Sequence, residues 1–192
     1  MLGVMNAQTK TKKSYAEYVA MEAASAVKHE FIDGEVFAMA GGTVEHGALA
    51  LAIGGELRSA LRGKPCRGFS SDVRIHVPST GGSFYPDVSV VCGSAETLAF
   101  DPNAITNPVI LVEVLSESTE AYDRGAKAAH YRRLESLKEY VLVSQTEQRV
   151  EVQRRNERGI WELHFFGPGD HVELNSVGAR LSVDALYANP LQ

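Results

Sequence analysis

The fold is decided by the stretch Val109-Ile110-Leu111-Val112-Glu113-Val114-Leu115, an apolar run of strand length with a single carboxylate. Such a run of aliphatic and β-branched residues is typical of a central strand that is covered on both faces. An ionised acid inside it is costly unless something pairs with it or binds it. Polar residues 116–119 follow at once, so Glu113 lies near a strand end, where ligands of open α/β sheets bind. Glu113 is therefore the first candidate functional residue.

The overall composition is that of an ordinary globular protein. The chain has 192 residues, of which 44% are hydrophobic and 22% charged, and its formal net charge is −5. This length favours one domain that is large enough to bury its own core. The acidic balance lacks the basic footprint of a tight DNA-binding protein, so a contact with nucleic acid would have to use local basic patches.

The cysteines and the N-terminal residues bear on location. Cys66 and Cys92 have no metal-type spacing, and we expect free, buried thiols in a reducing cytoplasm. Residues 1–13 are polar and contain no signal-peptide pattern, so we expect a flexible leader there and a single domain over 14–192. No apolar stretch approaches the ~20 residues of a membrane span. The sequence therefore predicts a cytoplasmic protein without a membrane partner.

Turn and capping signals predict the remaining elements. Asp33-Gly34 between apolar pairs is typical of a hairpin turn, and Thr43 is a suitable N-cap for a helix. In chain order we expect a helix over 14–23, the hairpin, a helix over 43–62, a second hairpin with strands 69–77 and 84–92, a polar loop over 94–107, the central strand, a helix over 123–134, a strand over 137–144, a meander over 149–166, and a short strand and helical turn in the tail.

Two acids on separate predicted strands suggest a metal site. Asp87 lies at the start of one strand and Glu113 in the central strand, positions where a structural role does not require an acid. Magnesium usually takes one or two protein carboxylates together with water and substrate phosphate, and it can activate water for hydrolysis. A cation near the phosphate would complete such a site. Lys127 is the best local candidate, because it shares a helix stripe with Tyr131.

Several segments in a fixed order carry a family resemblance: Tyr85-Pro86-Asp87-Val88, Glu113-Val114-Leu115-Ser116-Glu117-Ser118-Thr119, Asp123-Arg124-Gly125-Ala126-Lys127, Tyr131-Arg132 and Leu137-Lys138-Glu139-Tyr140-Val141-Leu142-Val143. Together they resemble the Uma-two family of endonucleases, which belongs to the restriction-endonuclease-like superfamily. The superfamily motif is Pro-Asp followed by Asp/Glu-x-Lys. The likeness extends over about 15–166, since residues 30–35 and 41–46 also resemble the opening of the family.

The resemblance implies a mixed α+β fold of the restriction-endonuclease-like type, with a central mixed β-sheet flanked by helices, an N-terminal hairpin and a C-terminal β-meander. It implies Asp87 and Glu113 as ligands of Mg²⁺, or of Mn²⁺, and phosphodiester hydrolysis with DNA as the partner. One departure is Leu115, which occupies the position of the strand lysine of the superfamily. In this family the lysine comes from the following helix, which maps to Lys127. Further family positions near the site match Glu30, Asp72 and His46.

The three principal residues also have structural interpretations. Glu113 can form a buried ion pair, for instance with Lys127. Asp87 can accept hydrogen bonds from backbone amides where its strand begins. Lys127 can pair with Asp123 at i, i+4 on an exposed helix face. These alternatives stay open at the level of sequence.

The secondary candidates have structural interpretations as well. His46 can be a satisfied histidine at a helix terminus, Asp72 can be a hairpin residue, and Glu30 can pair with a basic side chain across the strands. A solvated face or a phosphate-binding track can explain the basic cluster of Arg149, Arg154, Arg155 and Arg158.

The leading hypothesis is a Mg²⁺-dependent DNA endonuclease in which Asp87 and Glu113 hold the metal and Lys127 orients water or stabilises the phosphate. A second hypothesis is a catalytically inactive module that binds nucleic acid or protein, which the net charge of −5 and the absent strand lysine favour. A third is a hydrolase of another phosphate ester, because the same metal site does not choose the leaving group. A homodimer is a further hypothesis, since nucleases that cut both strands often work as dimers.

Overall fold

Two mixed six-stranded β-sheets form the body of the protein in a computed structural model that describes residues 12–189. The helices are α1 (Tyr15–Ala23), α2 (Val44–Ala60), α3 (Glu120–Tyr122), α4 (Ala128–Tyr131) and α5 (Val183–Leu186), and a π-helical turn (Asp123–Lys127) joins α3 to α4. The strands are β1 (His29–Ile32), β2 (Glu35–Ala38), β3 (Cys66–Ser70), β4 (Arg74–Val77), β5 (Gly82–Phe84), β6 (Val88–Cys92), β7 (Thr97–Leu98), β8 (Asp101–Ile105), β9 (Ile110–Leu115), β10 (Glu139–Ser144), β11 (Val150–Arg155), β12 (Trp161–Phe166), β13 (His171–Leu174) and β14 (Ala179–Ser182).

The strands are divided between a first sheet, ordered β2-β1-β5-β4-β8-β7, and a central sheet, ordered β12-β11-β10-β9-β6-β3. Strands β13 and β14 form a separate antiparallel hairpin. In the central sheet, β9 lies between the parallel strand β10 and the antiparallel strand β6. The predicted mixed sheet with the apolar stretch as an inner strand is therefore confirmed, while the first sheet extends the predicted N-terminal hairpin to a sheet of equal size.

Side chains alternate along β9, and each face packs into a different core. The even-numbered residues join a core beneath α2, whereas Leu111 and Leu115 join a second core that contains Tyr131 and Tyr140. All six residues of β9 are buried, because both faces are covered. Glu113 is odd-numbered, like Leu111 and Leu115, so its side chain lies on the same face of β9 as theirs and points toward the second core.

The N-terminal predictions are confirmed in detail. Ser14 caps α1 through a capping box. Asp33 and Gly34 have φ values of 50° and 86° in the turn between β1 and β2, as a two-residue hairpin turn requires. The Thr43 side chain accepts a hydrogen bond from the N–H of His46 at the start of α2. These local signals fix the elements that carry Glu30 and His46.

The predicted second hairpin, with strands over 69–77 and 84–92, is only partly correct. Each predicted strand is split, so that β3 pairs with β6 in the central sheet while β4 pairs with β5 in the first sheet. Asp72 therefore lies in an exposed turn between β3 and β4, not in a strand, and its side chain is 80% exposed. Asp87 lies directly before β6. The sequence does not mark the break in the first strand, because residues 69–77 contain no glycine or proline.

The second half of the chain follows the predictions with three differences. The predicted helix over 123–134 begins earlier, at Glu120, ends at Tyr131 and contains the π turn. The expected polar loop over 94–107 contains the short strands β7 and β8, and the tail contains two strands where one was expected. The predicted strand over 137–144 is present as β10, and the predicted meander over 149–166 is present as β11 and β12, with antiparallel pairing from β10 to β12.

The expectation of two free thiols is wrong. Cys66 and Cys92 lie directly opposite each other on the antiparallel strands β3 and β6, and they form a disulfide bond. Their spacing in sequence gives no sign of this pairing, because it follows from the strand register. The bond links the edge strand β3 to β6. It thereby joins the two ends of the segment between the cysteines, which contains the first-sheet strands β4 and β5.

The N-terminal leader expected over 1–13 lies outside the described residues except for Lys12 and Lys13. The backbone N–H of Lys13 donates to the carbonyl of Gly34 over 2.8 Å. Within residues 12–189, no helix is both long and apolar enough to cross a membrane.

His76 in β4 is a buried histidine whose titration affects stability. It is 5% exposed, and its ring stacks on Tyr15 with centroids 4.0 Å apart. Its Nδ1 has no hydrogen-bond partner among residues 12–189. Burial lowers the pKa of His76 below its usual value, so the unfolded chain binds a proton more readily. The contribution of neutral His76 to the free energy of unfolding is therefore fully present above about pH 6.5, the ordinary histidine pKa. It is lost as the pH decreases from there through the lower pKa that His76 has in the folded protein.

We expect His76→Phe to raise the free energy of unfolding by about 1 kcal/mol at neutral pH, because it removes an unpartnered buried nitrogen, and by more in acid. Phenylalanine preserves the stacking on Tyr15. Urea unfolding of variant and wild type across a series of pH values measures the difference. His171→Phe, at an exposed position, is the control. A His76→Phe effect that stays constant with pH would contradict the assignment.

Candidate active site

Glu113 is held by two donors in the second core. The hydroxyl of Tyr131 donates to Glu113 Oε1 over 2.9 Å, and Lys127 Nζ lies 2.8 Å from the same oxygen. Glu113 is 5% and Lys127 4% exposed. The structure thus brings together the strand acid and the helix lysine that the sequence singled out.

The ammonium of Lys127 faces three carboxylates. Its Nζ lies 2.8 Å from Glu113, 3.0 Å from Glu30 and 3.5 Å from Asp123. Glu30 reaches the site from β1, and its second oxygen accepts a hydrogen bond of 2.9 Å from the Tyr122 hydroxyl. The alternative in which Lys127 pairs with Asp123 on an exposed helix face is wrong about exposure, because both side chains are buried. The cross-strand interpretation of Glu30 is likewise replaced by its contact with Lys127.

The π turn directs two of these side chains into the site. Asp123 and Lys127 are its first and last residues, and both are buried. The Tyr140 hydroxyl, from β10, donates to the backbone carbonyl of Asp123 over 3.0 Å, so this irregular segment is tied to the central sheet. Single π turns inside α-helices are frequent at functional sites, and here the turn carries a lysine and an acid that contact each other.

The electrostatics of the site are dominated by burial and excess negative charge. Burial raises the pKa of Glu113 well above its usual range; the Asp123 and Asp87 carboxylates raise it further, against the opposing effect of Lys127. Burial also raises the pKa of Asp123. Burial by itself would lower the pKa of Lys127, but the surrounding carboxylates, Glu113 first, hold it well above its usual value. A single ammonium therefore faces more acid than it can neutralise.

Asp87 is fixed at the end of the strand by both oxygens. Oδ2 accepts a hydrogen bond of 2.7 Å from the N–H of Val114, the residue after Glu113. Oδ1 lies 2.9 Å from His46 Nε2, and this hydrogen bond raises the pKa of His46. One oxygen thus makes the backbone contact of the structural interpretation, while the other joins Asp87 to the first turn of α2.

Gln145, which follows β10, links the same parts of the fold. Its Nε2 donates to the carbonyl of Leu115 over 2.6 Å and lies 3.4 Å from His46 Nδ1. Its Oε1 accepts a hydrogen bond of 2.9 Å from the Thr43 hydroxyl. Gln145 therefore holds the N-terminus of α2 against the end of β9, beside the His46–Asp87 pair.

Five of the six predicted site residues converge. Glu113, Lys127 and Glu30 form one ion-pair cluster, and Asp87 with His46 lies next to it. Asp72 does not join them, because it pairs with Lys28 over 2.6 Å in an exposed turn. Sequence reasoning gave the Asp123–Lys127 contact only as an exposed pair outside the site, and it missed the site contacts of Tyr131 and Gln145. Only the position of Tyr131 on the Lys127 stripe gave a signal.

The predicted arginine cluster is largely engaged in contacts within the chain. Arg149 pairs with Glu147 and Glu151, and Arg154 pairs with Glu139. Arg155 donates to backbone carbonyls and lies over the Trp161 ring. Arg149, Arg154 and Arg155 are half-buried, so these contacts are ion pairs and hydrogen bonds within the chain and fit neither a solvated face nor a phosphate-binding track.

The donor set at the strand end fits a hard divalent cation. No three His, Cys, Asp or Glu side chains in the described part of the chain form a group that could hold a metal ion by themselves. Magnesium, however, often takes only one or two protein carboxylates, and Asp87 and Glu113 supply that number. The mutual repulsion of these two carboxylates, which raises the pKa of Glu113, is the effect that a bound cation would relieve.

Comparison with known proteins decides the family. The model of the Uma2 (Uma-two) family, described as "Putative restriction endonuclease", matches residues 15–185. The chain belongs to the Uma2 family. Two Synechocystis sp. PCC 6803 proteins are similar to this Uma2 chain. "Uncharacterized protein slr1290" is 36% identical over 176 residues, which is 92% of both chains. "Uncharacterized protein sll1609" is 34% identical over 136 residues, which is 71% of this chain and 77% of its own.

A solved structure supports the fold of this Uma2 protein. The crystal structure of a protein from Anabaena variabilis ATCC 29413, described as "a putative nuclease belonging to DUF820", superposes with a TM-score of 0.75 at 20% sequence identity. The match covers 91% of this chain and 97% of the other. The fold is therefore of the restriction-endonuclease-like type, as the motif order predicts.

Proposed function

We propose that this Uma2 protein is a Mg²⁺-dependent DNA endonuclease that hydrolyses phosphodiester bonds. The observation that carries the proposal is the convergence of Asp87, Glu113 and Lys127 at one end of β9, with Lys127 Nζ 2.8 Å from Glu113. The family and the fold, which indicate a restriction-endonuclease-like nuclease, support the same reaction. Leu115 leaves the strand without the superfamily lysine, and Lys127 supplies the ammonium from the helix.

The residues of the chain have separate roles in this proposal. Asp87 and Glu113 would hold the cation, which supplies Lewis-acid stabilisation and an activated water. The Val114 amide and His46 keep the Asp87 carboxylate in place. Lys127, already protonated because its pKa is raised, stabilises negative charge that develops on the phosphate or orients the attacking water. Glu30 and Asp123 keep that ammonium directed toward Glu113.

The proposal has consequences for substrate and location. DNA is the substrate class that a restriction-endonuclease-like family favours, and the net charge of −5 requires the contact to be local. A DNA substrate implies the cytoplasm, where the Cys66–Cys92 bond would be exposed to reduction. A nuclease that cuts both strands would act as a homodimer.

The alternative function is a catalytically inactive module that binds nucleic acid or protein. The observation that favours it is the complete engagement of Lys127 by three carboxylates, which resembles a structural ion-pair network. In this alternative the cluster stabilises the fold and no metal is needed.

Metal binding and cleavage test the proposal together. We expect Mn²⁺ or Mg²⁺ titrated calorimetrically into the purified protein to bind without DNA, and supercoiled plasmid to be nicked with Mg²⁺ present. EDTA should abolish nicking, and added Mg²⁺ should restore it. Single-stranded DNA and small phosphate esters, assayed in parallel, distinguish an endonuclease from a hydrolase of other esters. DNA binding without cleavage in either metal would favour the inactive module.

A further inference from the structure

The free edge of the central sheet is unusually apolar for an edge strand. Among residues 12–189, strand β12 pairs with β11 alone, and within it Leu163 is 51% and Phe165 60% exposed. Natural sheets usually protect edges with short strands, charges, glycine or proline. β12 has six residues in regular register with β11. The opposite edge, β3, carries the exposed Arg67 and Gly68, so it is protected in the usual way.

The outward-facing backbone groups of β12 belong to its odd-numbered residues. At the hairpin turn the N–H of Asn156 donates to the carbonyl of Ile160 over 2.8 Å. Because hydrogen bonding alternates along an antiparallel pair, the even-numbered residues of β12 bond to β11. The N–H and C=O groups of Trp161, Leu163 and Phe165 therefore point away from the sheet and can accept another strand.

The exposed side chains of β12 are not an extension of the core. Leu163 and Phe165 lie opposite Gln153 and Glu151 of β11. These two are engaged in polar contacts, Gln153 with Arg132 over 2.5 Å and Glu151 with Arg124 and Arg149. A polar layer thus separates the two apolar side chains from the second core, and packing within the chain does not explain them.

The sequence of β12 is complementary to itself in one antiparallel register. When Leu163 lies opposite Leu163 of a second copy, Trp161 lies opposite Phe165 and Glu162 lies opposite His164, each twice across a two-fold axis. Aromatic pairs and acid–base pairs are favourable cross-strand neighbours. The side chains of Glu162 and His164 are 50% and 36% exposed, and their closest polar atoms within one chain are 3.9 Å apart. Glu162 Oε1 accepts a hydrogen bond of 2.7 Å from Asn156, which leaves Oε2 for a second copy. His164 Nε2 is buried and has no hydrogen-bond partner among residues 12–189, so a turn of its imidazole would bring it to the carboxylate of the second copy.

We infer that β12 is a homodimer interface, in which the β12 strands of two copies pair antiparallel around Leu163 and join their central sheets into one. Isologous two-fold contacts of this kind are the commonest in soluble oligomers. The occupant of this edge is a second copy of the chain, because one register gives the leucine, the aromatic residues and the charged residues of β12 favourable partners on the β12 strand of the other copy. The inference does not depend on the proposed hydrolytic function.

Sedimentation equilibrium of the full chain over a concentration series tests the interface. We expect the wild type to have the mass of a dimer. Leu163→Lys should raise the dissociation constant by about tenfold or more, because it opposes two like charges directly across the strands. Leu51→Lys, a matched change at a position on α2 that is 78% exposed, should leave the dimer intact. A monomeric wild type, or a dimeric Leu163→Lys variant, would overturn the inference.

Cysteine cross-linking tests the register. Residues directly opposite across an antiparallel pair have Cα atoms about 4.5–5.5 Å apart, within reach of a disulfide. We therefore expect Leu163→Cys to give a covalent dimer under mild oxidation. Phe165→Cys should not, because its counterpart is four residues along the partner strand, about 14 Å away. Equal cross-linking of both variants would exclude this register.

The charged positions give an independent check. His164→Glu should weaken the dimer, because it places two carboxylates opposite each other. The double variant Glu162→Lys/His164→Glu should restore it, because a lysine then faces each new glutamate across the strands. Circular dichroism of each variant establishes that the chain is folded. Failure of the double variant to dimerise better than His164→Glu would contradict the proposed pairing.

Discussion

Replacement of Glu113 by glutamine is expected to abolish Mg²⁺-dependent cleavage while the protein remains folded. Loss of an outer-shell partner of a metal typically costs about 10–100-fold, so loss of a direct ligand should exceed a hundredfold. Glutamine keeps an oxygen that can accept from Tyr131 and Lys127 but has no charge for the cation. Initial rates of plasmid nicking and Mn²⁺ affinity by calorimetry measure the two effects.

The same variant separates a catalytic role from a structural one. Because burial raises the pKa of Glu113, its ionisation costs folding free energy, and that cost grows as the pH rises through the folded pKa. Lys127 keeps Glu30 and Asp123 as partners when Glu113 is neutralised. Glu113→Gln should therefore be at least as stable as the wild type near neutral pH. Asp72→Asn, at an exposed acid outside the site, is the activity control. Cleavage retained in Glu113→Gln would refute the proposed metal site.

Replacement of Lys127 by methionine is expected to be the most destabilising change in the site. It removes one ammonium from three buried carboxylates and leaves their charge uncompensated. Breaking a buried ion-pair network in this way costs about 3–5 kcal/mol. The free energy of unfolding from urea denaturation measures the loss, which should shrink at acidic pH as the carboxylates take up protons.

A second substitution separates the stability of the Lys127 variant from its activity. In Lys127→Met/Glu30→Gln one of the orphaned charges is removed, so part of the lost stability should return through the coupling of neighbouring sites. Cleavage should not return, because no ammonium faces the phosphate. Glu30→Gln by itself supplies the control for the second change. A double variant that is folded and cleaves DNA at the wild-type rate would show that Lys127 is structural only.

Local signals were sufficient for much of the fold and for part of the site. The apolar run around Glu113, the Asp33-Gly34 turn and the Thr43 cap each specify their element through chemistry within a few residues. The acids Glu113 and Asp87 were identified because carboxylates in such strands are costly without a partner. Assigning Lys127 required the order of the family motifs, since Lys127 lies in the helical segment after the strand that carries Glu113 and no local pattern connects the two residues.

The features that sequence did not reveal depend on distant parts of the chain. The sequence predicts one strand over 69–77 that includes Asp72, because no glycine or proline marks the turn that sends the chain to the other sheet. The Cys66–Cys92 bond follows from the register of β3 and β6, which the spacing of the cysteines does not contain. The i, i+4 spacing of Asp123 and Lys127 left an exposed helix face open as an alternative, because regular α-helical periodicity does not account for a π turn. Gln145 had no signal, since its contacts come from the end of β9 and the N-terminus of α2, both distant from it in sequence.

The π turn makes the site depend on residue count as well as residue type. A π turn holds one residue more than the α-helical turn it replaces, and each residue advances an α-helix by about 100°. Deleting a single residue between Asp123 and Lys127, even the small Gly125, would allow a regular helix while rotating one of the two side chains away from β9. Insertions and deletions in this short segment are therefore a route by which Uma2 chains could lose the arrangement around Lys127 while every charged residue is retained.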